Sequence, residues 1–306
     1  MKLLVTGAAK FSEQQLDIFK NNLGLELVFQ QDERGEAETD FSQVDAAVLN
    51  GLFLYHDIEE FEKLKFVQLT SAGLDKVPLE KIKEKGISLH NARGVYSIPM
   101  AEFAVAGVLS VYKNLNHFFE NKKSHIWQKD RRIKELCSNK VVIVGCGSVG
   151  TECAKRFKAF GTEIIGVDLF KPADEVYDLF FDINNIDKAL SISDVVVITL
   201  PLTEKTRGMF DGKLLSECKS GAVIVNISRG SVLKEDALAE YIDKAHLSGA
   251  VLDVFENEPL DESSRLWDMD NVFITPHNSF VSPNNSDRLF NLCFNNLKDF
   301  MKGETE

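Results

Sequence analysis

With 306 residues, 44% of them apolar and 27% charged, the chain is long enough for two modest hydrophobic cores rather than one large one. A formal charge of −12 repels polyanions and gives no general reason to expect nucleic acid or an anionic membrane as a partner, so any anionic ligand needs a local positive site. The five cysteines, Cys137, Cys146, Cys153, Cys218 and Cys293, show neither C-x-x-C pairs nor zinc spacing, and no signal-peptide pattern or run of about eighteen apolar residues is present, so a cytoplasmic protein with reduced thiols and no metal is expected.

In chain order, the first ninety or so residues alternate short β-rich runs (Lys2–Thr6, 25–29, Ala46–Leu49, Phe66–Leu69 and 87–89) with helix-compatible stretches, a rhythm that predicts a parallel sheet covered by helices. The acidic stretch 30–40 has no apolar period and reads as a solvated loop. Pro99 suits a first helical turn, and residues 100–111 are apolar almost all round except Glu102, Gly107 and Ser110. Such a helix must be covered on most sides, between domains or by a second subunit. A second strand series follows at Lys140–Val144, Glu163–Asp168, 194–200, 222–227, 249–254 and 272–275, again as buried parallel strands. Beyond Pro283, the helical spacing of Leu289, Cys293, Leu297 and Phe300 predicts an amphipathic closing helix packed back on the first domain. The fold class is therefore α/β with two doubly wound parallel-sheet domains, one of residues 1–97 plus 283–306 and one of residues 98–282.

Gly145-Cys146-Gly147-Ser148-Val149-Gly150 follows a strand of four β-branched residues and opens a helix-compatible run. Gly145 suits a tight turn, Gly147 a close approach of backbone to a pyrophosphate, and Gly150 close packing of helix on strand, with the helix N-terminus facing the phosphates. The next strand ends at Asp168, eighteen positions beyond Gly150, where a carboxylate can accept hydrogen bonds from ribose hydroxyls. The same carboxylate repels a 2′-phosphate, which favours NAD over NADP, although Lys171 nearby keeps NADP open. An ordinary strand-end carboxylate is the alternative reading of Asp168 alone.

Arg229 follows the strand end Val225-Asn226-Ile227, where ligands of such sheets bind, and its planar fork suits a carboxylate held bidentately. Two further strand ends lead into Glu258 and His277. If Glu258 accepts a hydrogen bond from the ring of His277, it orients the imidazole to donate a proton to a carbonyl oxygen as hydride reaches carbon, or to remove a hydroxyl proton in reverse. On position alone, a surface arginine and a structural histidine remain the ordinary alternatives, and the other five histidines receive the structural reading.

Seven ordered stretches together resemble the D-isomer-specific 2-hydroxyacid dehydrogenase family over nearly the whole chain: Thr70-Ser71-Ala72-Gly73-Leu74-Asp75; Asn91-Ala92-Arg93-Gly94 with Ala101-Glu102; the glycine loop; Leu200 to Gly208; Asn226-Ile227-Ser228-Arg229-Gly230; Asp253 to Pro259; and Thr275-Pro276-His277. The resemblance implies a flavodoxin-like substrate domain built from both chain ends and a Rossmann dinucleotide-binding domain that forms a homodimer. It implies that Arg229 binds a 2-keto or 2-hydroxy acid carboxylate, that His277 is the acid/base with Glu258 as its partner, and that Ser71, Ala72 and Gly73 add substrate contacts. Thr199, Pro201 and Asp253 are implied on the cofactor side. Departures from the family pattern stand at Asn278-Ser279-Phe280 and at Cys146, and bear on the pocket beside the histidine.

The stretch Asn50-Gly51-Leu52-Phe53-Leu54-Tyr55, which the resemblance turns toward the substrate, contains no lysine or arginine. An uncharged, partly apolar substrate tail is the reading, with simple loop packing of Phe53 and Tyr55 as its alternative. The rival function is an NAD(H)-sensing protein of the corepressor type, which can keep the same catalytic residues.

Overall fold

The computed structural model describes residues 1–303, which divide into two compact units, one of Met1–Tyr96 with the segment from Ser282 onward, the other of Ser97–Val281. The first unit opens with β1 (Lys2–Thr6), α1 (Glu13–Leu23), β2 (Glu26–Gln30), β3 (Ala46–Leu49), β4 (Phe66–Leu69), α2 (Leu79–Glu84) and β5 (Ser88–His90). Its strands are all parallel in the order β2-β1-β3-β4-β5, the flavodoxin-like order. Central strands β3 and β4 are buried at every position, as a parallel sheet covered on both faces requires. Helix α1 is started by Ser12, whose side chain forms a reciprocal capping box with Gln15, and is ended by Gly24 in the left-handed conformation.

The second unit begins with α3 (Ser97–Tyr112) and α4 (Leu115–Lys123). Its strands and helices continue as β6 (Lys140–Val144), α5 (Ser148–Ala159), β7 (Glu163–Asp168), β8 (Leu179–Asp182), α6 (Ile186–Leu190), β9 (Val195–Ile198), α7 (Gly212–Ser216), β10 (Ala222–Asn226), α8 (Glu235–Asp243), β11 (Leu247–Leu252) and β12 (Val272–Ile274). All seven strands are parallel in the order β12-β11-β10-β9-β6-β7-β8, so the winding reverses between β6 and β9. That reversal opens the crevice in which doubly wound sheets take their ligands. Two apolar clusters cover the two faces: one runs from Val142 to Val272 under α6, α7 and α8, and the other joins α3 and α5 to Val141, Ile143, Val195, Val197 and Val251.

Helix α3 earns its nearly uniform apolar surface by packing against α5 and the sheet, where Gly107 lies so close to Val251 that an added Cβ would sit 2.3 Å from a valine methyl. After the second unit the chain returns to the first with α9 (Asn285–Lys302). Its buried residues Leu289, Phe290, Cys293 and Leu297 close the cluster containing Leu3, Val5 and Phe19, and Phe19 meets Phe290 edge to face at 5.1 Å between ring centres.

Three local features differ from the sequence reading. Strand β8 has no counterpart in the sequence reading, because an edge strand with one neighbour and no fully buried residue carries no buried apolar run. Strands β2 and β5 begin one residue later than their apolar runs suggest, and β11 spans Leu247–Leu252 where the sequence suggests 249–254. The 30–40 segment is irregular, yet Glu33 turns inward: one carboxylate oxygen accepts from Thr6 Oγ1 at 2.6 Å and the Asn50 amide at 2.7 Å, and the other from the Gly51 amide at 2.7 Å. All five thiols are free, Cys137 exposed and the other four buried. No helix among the described residues is long and apolar enough to cross a membrane.

Candidate active site

The carboxyl ends of β6, β7, β9, β10, β11 and β12 lie along one edge of the second sheet, and every sequence-predicted residue of this unit follows one of them. At the β6 end Gly145 adopts φ +102, and a Cβ there would press within 2.9 Å of the Thr199 backbone. A Cβ on Gly150 would meet the Gly145 carbonyl oxygen at 2.0 Å, so strand, turn and helix are in direct contact at that point. A Cβ on Gly147 would touch nothing within 4 Å. Gly147 caps α5 without a side-chain acceptor, so the first-turn amides at Ser148, Val149 and Gly150 face outward for an anion. This open cradle, rather than the glycine spacing alone, fits a dinucleotide pyrophosphate.

Asp168 at the end of β7 accepts from the Cys146 amide at 2.6 Å and from the Leu169 amide at 2.7 Å. It therefore braces the glycine loop, and a carboxylate has lone pairs left for ribose hydroxyls. Burial pushes the Cys146 thiol up to about 11, so this departure from the family pattern contributes a neutral, packed side chain beneath the loop. Thr199 donates to the Gly145 carbonyl at 2.6 Å and ties the end of β9 to the same loop, while the Pro201 carbonyl accepts from Thr206 Oγ1 at 2.6 Å.

At the end of β10, buried Asn226 organises the turn that carries Arg229. Its side-chain oxygen accepts from the Ser228 amide at 3.1 Å and the Ser228 hydroxyl at 2.9 Å, and its amide nitrogen donates to the Arg229 carbonyl at 3.1 Å. Arg229 donates to the Ser228 carbonyl through Nη1 at 2.8 Å. Gly230 lies directly against the next loop, where a Cβ would fall 1.8 Å from the Phe255 carbonyl carbon.

Asp253, fully buried at the end of β11, accepts from Thr275 Oγ1 at 2.7 Å, the Asn278 amide at 2.7 Å and the Ser279 amide at 2.9 Å. These bonds fold the chain after β12 around His277, whose own amide donates to the Asp253 carbonyl at 2.7 Å and whose φ of +51 lies in the left-handed region. The His277 Nδ1 is 2.8 Å from Glu258 Oε2, and Glu258 Oε1 accepts from the Phe255 amide at 3.1 Å. The carboxylate thus fixes the ring from one side and leaves Nε2 as the nitrogen able to exchange a proton with a ligand.

Ser71, Ala72 and Gly73 follow β4 in the first unit. Ser71 Oγ donates to the Gly73 carbonyl at 3.1 Å, and Asn91 Nδ2 donates to the Ala72 carbonyl at 2.8 Å. Asn226 escaped the sequence reading although it is a lone polar residue closing an apolar strand, a signal of a buried amide with assigned partners. The Asp253 carboxylate also bonds the turn that carries His277, a link that the sequence alone does not reveal.

The sequence profile of the D-isomer specific 2-hydroxyacid dehydrogenase NAD binding domain matches residues 105–279, which lie inside the second unit. Hydroxypyruvate reductase of Thermotoga maritima is 32% identical over 270 residues, 87% of each chain. The chloroplastic D-3-phosphoglycerate dehydrogenase 2 of Arabidopsis thaliana is 34% identical over 216 residues, 70% of this chain but 35% of that protein, so the chain spans about a third of that relative's length. A D-isomer specific 2-hydroxyacid dehydrogenase of Xanthobacter autotrophicus Py2, solved in complex with NADPH and MES, superposes with a TM-score of 0.82 at 26% identity, covering 99% of this chain and 96% of that one. By its matched profile, its relatives and its two parallel sheets, the chain belongs to the D-isomer-specific 2-hydroxyacid dehydrogenase family.

Proposed function

We propose that this protein is an NAD-dependent oxidoreductase interconverting a small 2-keto acid and its D-2-hydroxy acid. The observation that carries the reading is the His277–Glu258 pair at 2.8 Å, standing on the same sheet edge as Arg229 and the open glycine loop. A nicotinamide cofactor supplies the hydride when bound. The guanidinium of Arg229 holds the substrate carboxylate as a fork, and Ser71, Ala72 and Gly73 are the substrate-binding residues contributed by the first unit. His277 Nε2 gives a proton to the carbonyl oxygen as C2 is reduced and takes it back from the hydroxyl in the reverse direction, while Glu258 keeps the ring in register. Ser148, Val149 and Gly150 receive the pyrophosphate, with Gly145 and Gly147 shaping the loop, and Thr199, Pro201 and Asp253 belong to the nicotinamide side.

The Asp168 carboxylate favours NAD, since a 2′-phosphate there meets like charge. The second unit is the cofactor domain and the first the substrate domain. The Asn50–Tyr55 stretch contributes no cation of its own, which supports an uncharged, partly apolar substrate tail. A homodimer through the second unit is supported by the exposed apolar side chains Phe119, Ile126 and Trp127.

NADH oxidation followed by absorbance against pyruvate, 2-ketobutyrate, 2-ketoisocaproate, phenylpyruvate, glyoxylate, hydroxypyruvate and its phosphate, repeated with NADPH, tests this. We expect turnover on an uncharged-tail subset with NADH, falling by about 10²–10⁴-fold in His277→Ala. NADH binding without turnover on any member of the panel would instead favour the NAD(H)-sensing protein.

A further inference from the structure

The loop that carries Glu258 has no regular structure, and Asn257, Glu258 and Pro259 are exposed, so packing of these three side chains does not hold it. Two residues earlier, Glu256 makes a reciprocal clasp with Glu235 in the first turn of α8. The Glu235 carboxylate accepts the Glu256 amide in a short hydrogen bond, and the Glu256 carboxylate accepts the Glu235 amide at 3.2 Å. Lys234 Nζ lies 2.7 Å from the second oxygen of Glu256 and offsets the repulsion of the two acids. Immediately before the clasp, Gly230 abuts Phe255, whose amide in turn bonds Glu258. Partial burial pushes the Glu235 carboxyl upward, opposed by the hydrogen bond from the Glu256 amide and reinforced by the charge of Glu256.

We infer that Glu235 is a positioning residue for the acid/base pair: with Glu256 it fixes the loop after β11, so that the Glu258 carboxylate stays on His277 Nδ1 and the ring keeps one orientation. Among the described residues no hydrogen bond or ion pair links either residue of the clasp to His277, and no role for Glu235 follows from the glycine loop, the arginine or the histidine themselves. The inference rests on the proposed dehydrogenase reading for its kinetic consequence but not for its structural one.

The test compares Glu235→Ala, Glu235→Asp and Glu235→Gln in the full chain. Alanine removes the acceptor, aspartate withdraws it by one methylene while keeping the charge, and glutamine retains a carbonyl for the Glu256 amide. Kinetically, kcat is expected to fall between about tenfold and a hundredfold in the alanine and aspartate variants, with KM for NADH moving little and glutamine restoring most of the rate. Independently of turnover, long-range proton–nitrogen NMR of the His277 ring should show an Nδ1-protonated, hydrogen-bonded ring in the wild type and the glutamine variant. In the other two variants the ring should be averaged between tautomers. Wild-type ring signals in Glu235→Ala or Glu235→Asp, or equal loss in all three variants, would overturn the inference. A wild-type protein that turns over no keto acid, yet whose ring signals respond as described, would refute the dehydrogenase reading and leave the clasp standing.

Discussion

His277 occupies a backbone conformation that a residue with a Cβ adopts at a cost, about 1–2 kcal/mol, and the surrounding bonds show what offsets it. Asp253 is the main tie. Its buried carboxylate accepts one hydroxyl and two amides of the segment that follows β12. Asp253→Asn keeps the volume but turns one acceptor into a donor facing other donors. It should cost about 1–3 kcal/mol in unfolding free energy, read as a lower denaturant midpoint. The proposed activity should fall more than that loss alone predicts, because the histidine turn loosens even in molecules that remain folded. An unchanged midpoint would mean that the turn is held by its own backbone. Arg229, Glu258 and His277 stand out in the sequence only through the ordered stretches that resemble the family, since position alone leaves a surface arginine and a structural histidine as ordinary alternatives. The task of Asp253 does not, since its three donors lie 22 to 26 residues away in the chain.

Strand, turn and helix around the glycine loop form the element on which dinucleotide binding depends. The atom that an added Cβ on Gly150 would strike first is a backbone oxygen rather than the tip of a flexible side chain. Gly150→Ala should therefore force α5 away from β6, at an overpacking cost of about 1–3 kcal/mol, and weaken NADH binding measured by nicotinamide fluorescence. Retained affinity would show that the loop can open without disturbing its outward amides. This element was readable in full because its turn, helix and acidic strand end follow one another within a short stretch. Interior strands such as β3 and β9 were equally plain, since burial on both faces leaves an unbroken apolar run. Strand β8 had no such mark. Nor does composition reveal that Glu33, in a run of acids, finds three donors on β1 and the loop after β3.

At the scale of the molecule, each unit has its own cores, and the chain passes from one to the other near Tyr96 and again near Val281. The clusters on both faces of the seven-stranded sheet draw every buried member from within Ser97–Val281. A fragment of residues 97–281 should consequently fold alone, unfold in one cooperative thermal transition and bind NADH, since its glycine loop, Asp168 and Thr199 are all internal. The first unit is not independent in the same sense. Leu289, Phe290, Cys293 and Leu297 of α9 fill the cluster that β1 and α1 begin, so residues 1–96 alone expose Phe19 and its neighbours. That truncation should give a poorly packed species lacking a sharp transition, and supplying residues 282–306 as a peptide should restore it by burying the same apolar face. Circular dichroism melts of the two fragments, with and without the peptide, separate the cases. Cooperative unfolding of residues 1–96 without the peptide would show that α9 covers a core already complete. Failure of residues 97–281 to fold would place the stability of the cofactor unit in contacts that its own two clusters do not supply.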